Sequence, residues 1–120
     1  MKEPSEPRQK VLWIKPEYLQ EILAGRKTIE VRVGYSNIRR LQAGDILLLN
    51  QEHPYRIRRI CIYPDFERLL AQEPADRIAP GLSAQELLSA LRVLYPPEKE
   101  ALGAVAIELE PASPIRCPSL

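Results

Sequence analysis

The segment "PEYLQEILAGRKTIEVRV", residues 16–33, changes its hydrophobic period in the middle. Before Gly25, the apolar residues Tyr18, Leu19, Ile22 and Leu23 recur at helical spacing and share one face. Pro16 opens this helix at a favoured first-turn position. Gly25 stops it, because glycine enters the left-handed conformation without steric cost. After Gly25 the period drops to two. Ile29, Val31 and Val33 point one way, and Thr28, Glu30 and Arg32 the other. The fold is therefore mixed, with helix and strand meeting at one glycine.

The other elements follow from similar signals. "VLWI" (11–14) is a buried strand, with Trp13 in the core. "GYSNIRRLQAGD" is a loop, "ILLLN" (46–50) a core strand and "QEHP" a turn. "YRIRRICIY" (55–63) alternates until its double arginine shifts the phase, which predicts a bulge. Pro64 opens a helix over 64–73, and "PADRIAPG" is a loop. Ser83 and Glu86 form a capping box for the helix "SAQELLSALRVLY". Its apolar face is Leu87, Leu91 and Leu94, with Leu88 and Tyr95 beside it, and Pro96 and Pro97 end it. "GAVAIELE" (103–110) closes the chain as a strand. The three middle strands follow one another closely, which favours antiparallel pairing. The expectation is an α+β domain built on a small, mostly antiparallel barrel or curled sheet.

A chain of 120 residues is one ordinary domain. Its 12 prolines cluster in both ends and at loop borders, so the folded unit is expected at 11–110, between a flexible tail at 1–10 and a Pro-rich tail at 111–120. The net charge of +1 means that any affinity for nucleic acid must come from a local patch. Cys61 reads as a small buried hydrophobe and Cys117 lies in the tail, so no disulfide framework is expected. "MKEPSEPRQK" lacks the apolar core of a signal peptide, and the longest apolar run, "ILLL", is far short of a membrane span. The expected location is cytoplasmic, with no membrane contact, and the default assembly a monomer. His53 is the sole histidine and sits in a turn, so no metal is expected. No nucleotide-cofactor fingerprint occurs, so no cofactor is expected.

The chemistry concentrates in "AGRKTIEVRVGY", residues 24–35. One reading is a solvated sheet face on which Glu30 and Arg32 pair weakly. The other is an anion or nucleotide site. Gly25 allows a close approach, and Arg26 and Lys27 follow in a turn with few neighbours to bury them. Arg32 offers bidentate or stacking contacts, which Glu30 would orient. Arg39 and Arg40 in the next loop extend a basic patch with Lys27 and Arg32 if the loops meet, and Tyr35 offers a face for base stacking, as does Trp13 in the alternative to its core place. Arg56, Arg58 and Arg59 between Tyr55 and Tyr63 have the composition of a single-strand platform, or of packing tyrosines on a charged edge strand.

"GRKTIEVR" resembles the G-x-K-x-x-E-x-R signature of the ASCH domain, a branch of the PUA-like superfamily. "IKPEYLQEILAGRKTIEVR" is similar to the family's opening strand, helix and signature strand. "AGDILLL" resembles its G-D strand entry, and "LSAQELLSALRVLYPPEKEALGAVAIEL" its closing helix and strand. The resemblance implies a small PUA-like β-barrel with helices closing a cleft. It places Gly25, Lys27, Glu30 and Arg32 at that cleft, and Ile29, Val31 and Val33 in the barrel packing. It also implies binding of RNA or a nucleotide-like ligand.

One alternative is an enzyme of the same fold. A branch of the family is associated with hydrolysis of acylated cytidine, where the lysine assists a hydroxyl residue three positions later. Here that position is Glu30, and no carboxylate stands at the matching place in "RIAPGLS". Cleavage of RNA, with Lys27 and Glu30 as the acid–base pair, is the other catalytic form. The remaining alternative is a protein-interaction module with no nucleic-acid ligand, whose charges are solvated and whose Lys27→Ala variant changes only surface charge.

Overall fold

At Gly25 the backbone turns with φ +83°, and the chain passes from helix α1 (Pro16–Leu23) into strand β2 (Ile29–Val33). The amides of Arg26 and Lys27 both donate to Glu21 O, which ties the turn to the end of the helix. The computed structural model describes residues 8–112, so the expected tails and Cys117 fall largely or wholly outside the described residues.

The other strands are β1 (Gln9–Leu12), β3 (Ile46–Leu49), β4 (His53–Tyr63) and β5 (Ala104–Pro111). They form one curled sheet in the order β1-β3-β4-β5-β2, in which only the β1–β3 pair is parallel. The architecture is α+β and mostly antiparallel, a half-barrel whose edge strands β1 and β2 are not paired with each other. The expected bulge is present. The β4–β5 register shifts between Ile57 and Arg59, which leaves Arg58 as the extra residue.

Several local expectations are corrected. β1 ends at Leu12, so Trp13 lies beyond the strand and is 61% exposed rather than in the core. Ile14 takes the buried place instead. Its amide donates to Asn50 Oδ1 (2.7 Å) and its carbonyl accepts from Asn50 Nδ2 (2.9 Å). Asn50 and Gln51 both have positive φ and make the β3–β4 turn, so His53 and Pro54 of "QEHP" already belong to β4. The supposed loops contain short helices α2 (Ser36–Arg39) and α4 (Ala75–Ile78). Helix α3 (Phe66–Gln72) begins after Asp65, whose side chain accepts from the Arg68 amide, so a cap and not Pro64 sets its start. Helix α5 (Ala84–Leu94) has the expected capping box, and Pro97 opens a further turn of helix, α6 (Pro97–Glu100).

Two apolar layers sandwich the sheet. Leu19 and Ile22 of α1 pack with Leu47, Leu49, Ile57, Val105 and Ile107. On the opposite face Phe66, Leu69, Leu87 and Leu91 pack with Ala104 and Ala106. Ile29, Val31 and Val33 belong to this second layer, beneath α3–α5. Glu30 lies opposite Ile107 and Arg32 opposite Val105, so the two charges share a sheet face with the first layer. Among the described residues no helix is long and apolar enough to cross a membrane.

The arginine-rich strand β4 is structural around Arg59. Its guanidinium donates to both oxygens of buried Glu73 (2.8 and 2.9 Å) and to Glu108 Oε1 (2.7 Å). The Tyr63 hydroxyl also donates to Glu73, and burial followed by this bond pushes the phenol up to about 12. Tyr55 is buried, so both tyrosines are packing residues. Cys61 is half-buried, with its sulfur 3.2 Å from Arg59 Nη1. The Arg59 hydrogen bonds hold the Glu73 carboxyl below its ordinary value. A depressed folded-state value stabilises the fold fully above the unfolded value, about 4.3, and that stability is lost as the pH falls through the folded value. Melting temperatures measured by circular dichroism are therefore expected to drop steeply below about pH 4.3. The Glu73→Gln variant is expected to be less stable at neutral pH but to lose less on acidification. An equal acid loss in both proteins would contradict this account.

Candidate functional site

Between the two unpaired edge strands lies a cleft of about 760 Å³, within the range of small-ligand sites. One wall is the β1–α1 junction with Trp13, Ile14 and Tyr18. The other is the end of α4 with helix α5, including Leu87, Leu91 and Leu94. Lys27, Glu30, Val31 and Arg32 lie between the walls.

Lys27 is 4% exposed, not the free cation of a sparsely packed turn. Its ammonium donates to Ile29 O and Ile78 O, each at 2.7 Å, and lies 3.1 Å from Glu30 Oε1. An ammonium has three N–H donors, and these contacts occupy them all. It also sits 5.6 Å from the centre of the Tyr18 ring. Burial lowers its pKa, opposed by the Glu30 charge. The second oxygen of Glu30 accepts from Arg32 Nε at 2.6 Å. Arg32 then reaches across the gap, where Nη2 donates to Trp13 O at 2.6 Å. Its Nη1 has no hydrogen-bond partner among the described residues, and the side chain is 24% exposed at the cleft. The charged face is thus a connected chain rather than a solvated surface, and Lys27→Ala would alter the interior.

The structure brings Lys27, Glu30 and Arg32 together and places the other candidates elsewhere. Arg26 is exposed and paired with Glu21 (2.6 Å). Gly25 shapes the turn without lining the cleft, and its carbonyl accepts from Arg77. Tyr35 follows β2, with the Lys99 ammonium 5.4 Å from its ring centre. Arg39 donates to Gly34 O and Leu102 O, beside a glycine where a Cβ would sit 2.5 Å from the Leu102 carbonyl. Arg40 is exposed, and its carbonyl accepts from Arg8. Neither Arg39 nor Arg40 lines the cleft.

Sequence reasoning missed most of the rim and favoured a core place for Trp13 over a stacking one. Trp13, Val93 (87% exposed) and Leu94 (55% exposed) are apolar side chains left in solvent at the cleft, and Tyr18 and Tyr95 add aromatic faces. Leu94 was expected on the buried face of α5, but only Leu87 and Leu91 of that face are buried. The available signal was position: a tryptophan just before a helix-opening proline, and apolar residues in a final helical turn.

The model of the family described as ASCH domain matches residues 12–113. The chain belongs to the ASCH domain family. Among solved structures, this ASCH domain is similar to the crystal structure of the hypothetical protein PH0355, with 31% identity and a TM-score of 0.82 over 87% of this chain and 99% of that one. It is also similar to the solution structure of protein PF0455 from Pyrococcus furiosus, with 30% identity and a TM-score of 0.73 over 86% and 96% of the two chains. No curated protein matches it.

The geometry of Lys27 gives a direct expectation. Lys27→Met removes one of the two cations that neutralise Glu30 and leaves two carbonyls without a donor. Breaking a buried pair from one side costs roughly 3–5 kcal/mol. The urea midpoint of this variant is expected to fall accordingly. An unfolding free energy within about 0.5 kcal/mol of the parent, the usual range for surface changes, would show that the ammonium is not structural.

Proposed function

We propose that this ASCH domain binds an unstacked base of single-stranded RNA, or a free nucleotide-like ligand, in the cleft between β1 and β2. The observation that carries the reading is the pairing of Arg32 with Trp13. A guanidinium with an unspent nitrogen is bonded to the backbone of the exposed tryptophan at the cleft mouth. An aromatic face with an adjacent cation suits a planar base and its phosphate, since stacking is worth about 1–3 kcal/mol per base and arginine meets phosphate bidentately. Tyr18 and Tyr95 add further faces within the same cleft. Family membership supports RNA as the source of the base. The near-zero net charge of +1 favours recognition at one site over a broad electrostatic surface.

Binding is favoured over catalysis by the bonding of Lys27. Its N–H groups are held by Ile29 O, Ile78 O and Glu30, which suits a structural cation better than one that exchanges a proton with substrate.

Trp13 is the one tryptophan of the chain and stands at the cleft mouth, so its fluorescence reports on events there. Short single-stranded RNA and the four nucleoside monophosphates are expected to change this emission saturably. RNA affinity should fall with salt by about 0.7 in log K per log salt for each phosphate held. Arg32→Gln should weaken binding roughly 10- to 150-fold, the range for losing a charged hydrogen bond of about 1.5–3 kcal/mol. Unchanged emission with every RNA and nucleotide, even at low salt, would overturn the proposal.

A further inference from the structure

We infer that the backbone of Val31 reads the hydrogen-bonding edge of the ligand, which makes the ligand a neutral heterocycle carrying adjacent donor and acceptor groups. This rests on the nucleotide reading above and adds to it the part of the base that is recognised.

The argument starts from register. In an antiparallel pair, residues alternate between those that exchange hydrogen bonds with the partner and those whose backbone groups point away from it. The Leu109 amide donates to Thr28 O and the Gly34 amide to Gly103 O, one at each end of the β2–β5 ladder. Glu30, Arg32, Gly34 and the carbonyl of Thr28 therefore face β5, while the Thr28 amide donates to Arg77 O. Ile29, Val31 and Val33 direct theirs to the open edge, which no strand covers because β2 is last in the sheet order.

Two of these outward residues have an internal partner for the carbonyl. Ile29 O accepts from the Lys27 ammonium, and Val33 O accepts from the Tyr35 amide. Between them, neither the amide nor the carbonyl of Val31 has a side-chain, turn or loop partner among the described residues. Val31 is nonetheless 7% exposed, and buried peptide groups are nearly always paired. The cleft is lined from both sides of the sheet: by Glu30 and Arg32 on one face, and by Leu87 and Leu91 on the other. A cavity that straddles both faces is centred on the strand edge itself, so the Val31 N–H and C=O open into it.

A single residue's N–H and C=O on one strand edge offer a donor beside an acceptor. The complement is an acceptor beside a donor on a planar ring. Uracil presents this as a ring N–H beside a carbonyl, guanine likewise, and cytosine and adenine as an amine beside a ring nitrogen. A base stacked against the aromatic wall and bonded along this edge would leave its sugar towards the mouth, where Arg32 Nη1 is unengaged.

The test compares uridine, guanosine, cytidine and adenosine with forms whose donor is removed without adding charge. These are 3-methyluridine, 1-methylguanosine, and cytidine and adenosine dimethylated on the exocyclic amine. Binding is read by Trp13 emission and by the amide resonance of Val31 in ¹⁵N-labelled protein. The expected result is that at least one parent nucleoside binds and shifts the Val31 amide downfield, while its blocked form binds at least about tenfold more weakly. 5-Methyluridine, which carries its methyl group away from this edge, should behave as uridine does. Equal binding of parent and blocked forms, or Trp13 quenching with an unmoved Val31 amide, would overturn the edge assignment while leaving the nucleotide reading standing. No response of Trp13 to any nucleoside, nucleotide or RNA would overturn both.

Discussion

The buried ammonium of Lys27 is the fixed point from which the rest of the cleft is hung. It holds the carbonyl at the end of α4, the carbonyl that opens β2 and the carboxylate of Glu30. Glu30 then fixes Arg32, and Arg32 fixes the backbone of Trp13 on the far side of the gap. Burying charge in an apolar surrounding is costly unless every charge is paired and every donor used. Here the cost is offset by a continuous chain of charge-assisted hydrogen bonds. The chain spans a gap between edge strands that backbone pairing leaves open. It does for the half-barrel what a further strand pairing would otherwise do.

The division of labour among the three charged residues follows from how many donors each has left. Lys27 has spent its own on the protein, and each oxygen of Glu30 already has a partner. Arg32, whose guanidinium carries more donors than the others, keeps a nitrogen with no partner among the described residues. A lysine in its place could not bond Glu30 and Trp13 along fixed directions and still present a planar face to the cleft.

Most of the strand and helix order was legible in the sequence, because it rests on local signals: the period change at Gly25, the Ser83–Glu86 box, the double arginine at the bulge. The errors came where tertiary context decides. Trp13 looks like a core residue in "VLWI", yet β1 stops at Leu12 and Asn50, distant in sequence, clamps Ile14 instead. The charged triad was legible as a cluster but not as a buried one, since nothing local reveals that Ile78 O descends onto Lys27. The family resemblance supplied the cleft, and the composition could not supply its aromatic rim. The layer that receives Ile29, Val31 and Val33 was equally hidden, because alternation tells which residues share a face but not which helices cover it.

The order of strands in the sheet has a consequence for how the chain is made. β2 is the second strand to emerge during synthesis, but its one partner, β5, is the last. Until Glu108 can face Ile29, the apolar residues Ile29, Val31 and Val33 have no strand to pair with. A bare segment of that kind invites pairing with other chains. Lys27, Glu30 and Arg32 interrupt it at close intervals, with both signs of charge. The side chains that build the cleft in the finished molecule thus also act as guards of the nascent one, and replacing them with apolar residues of equal size would expose a sticky strand for nearly the whole of translation.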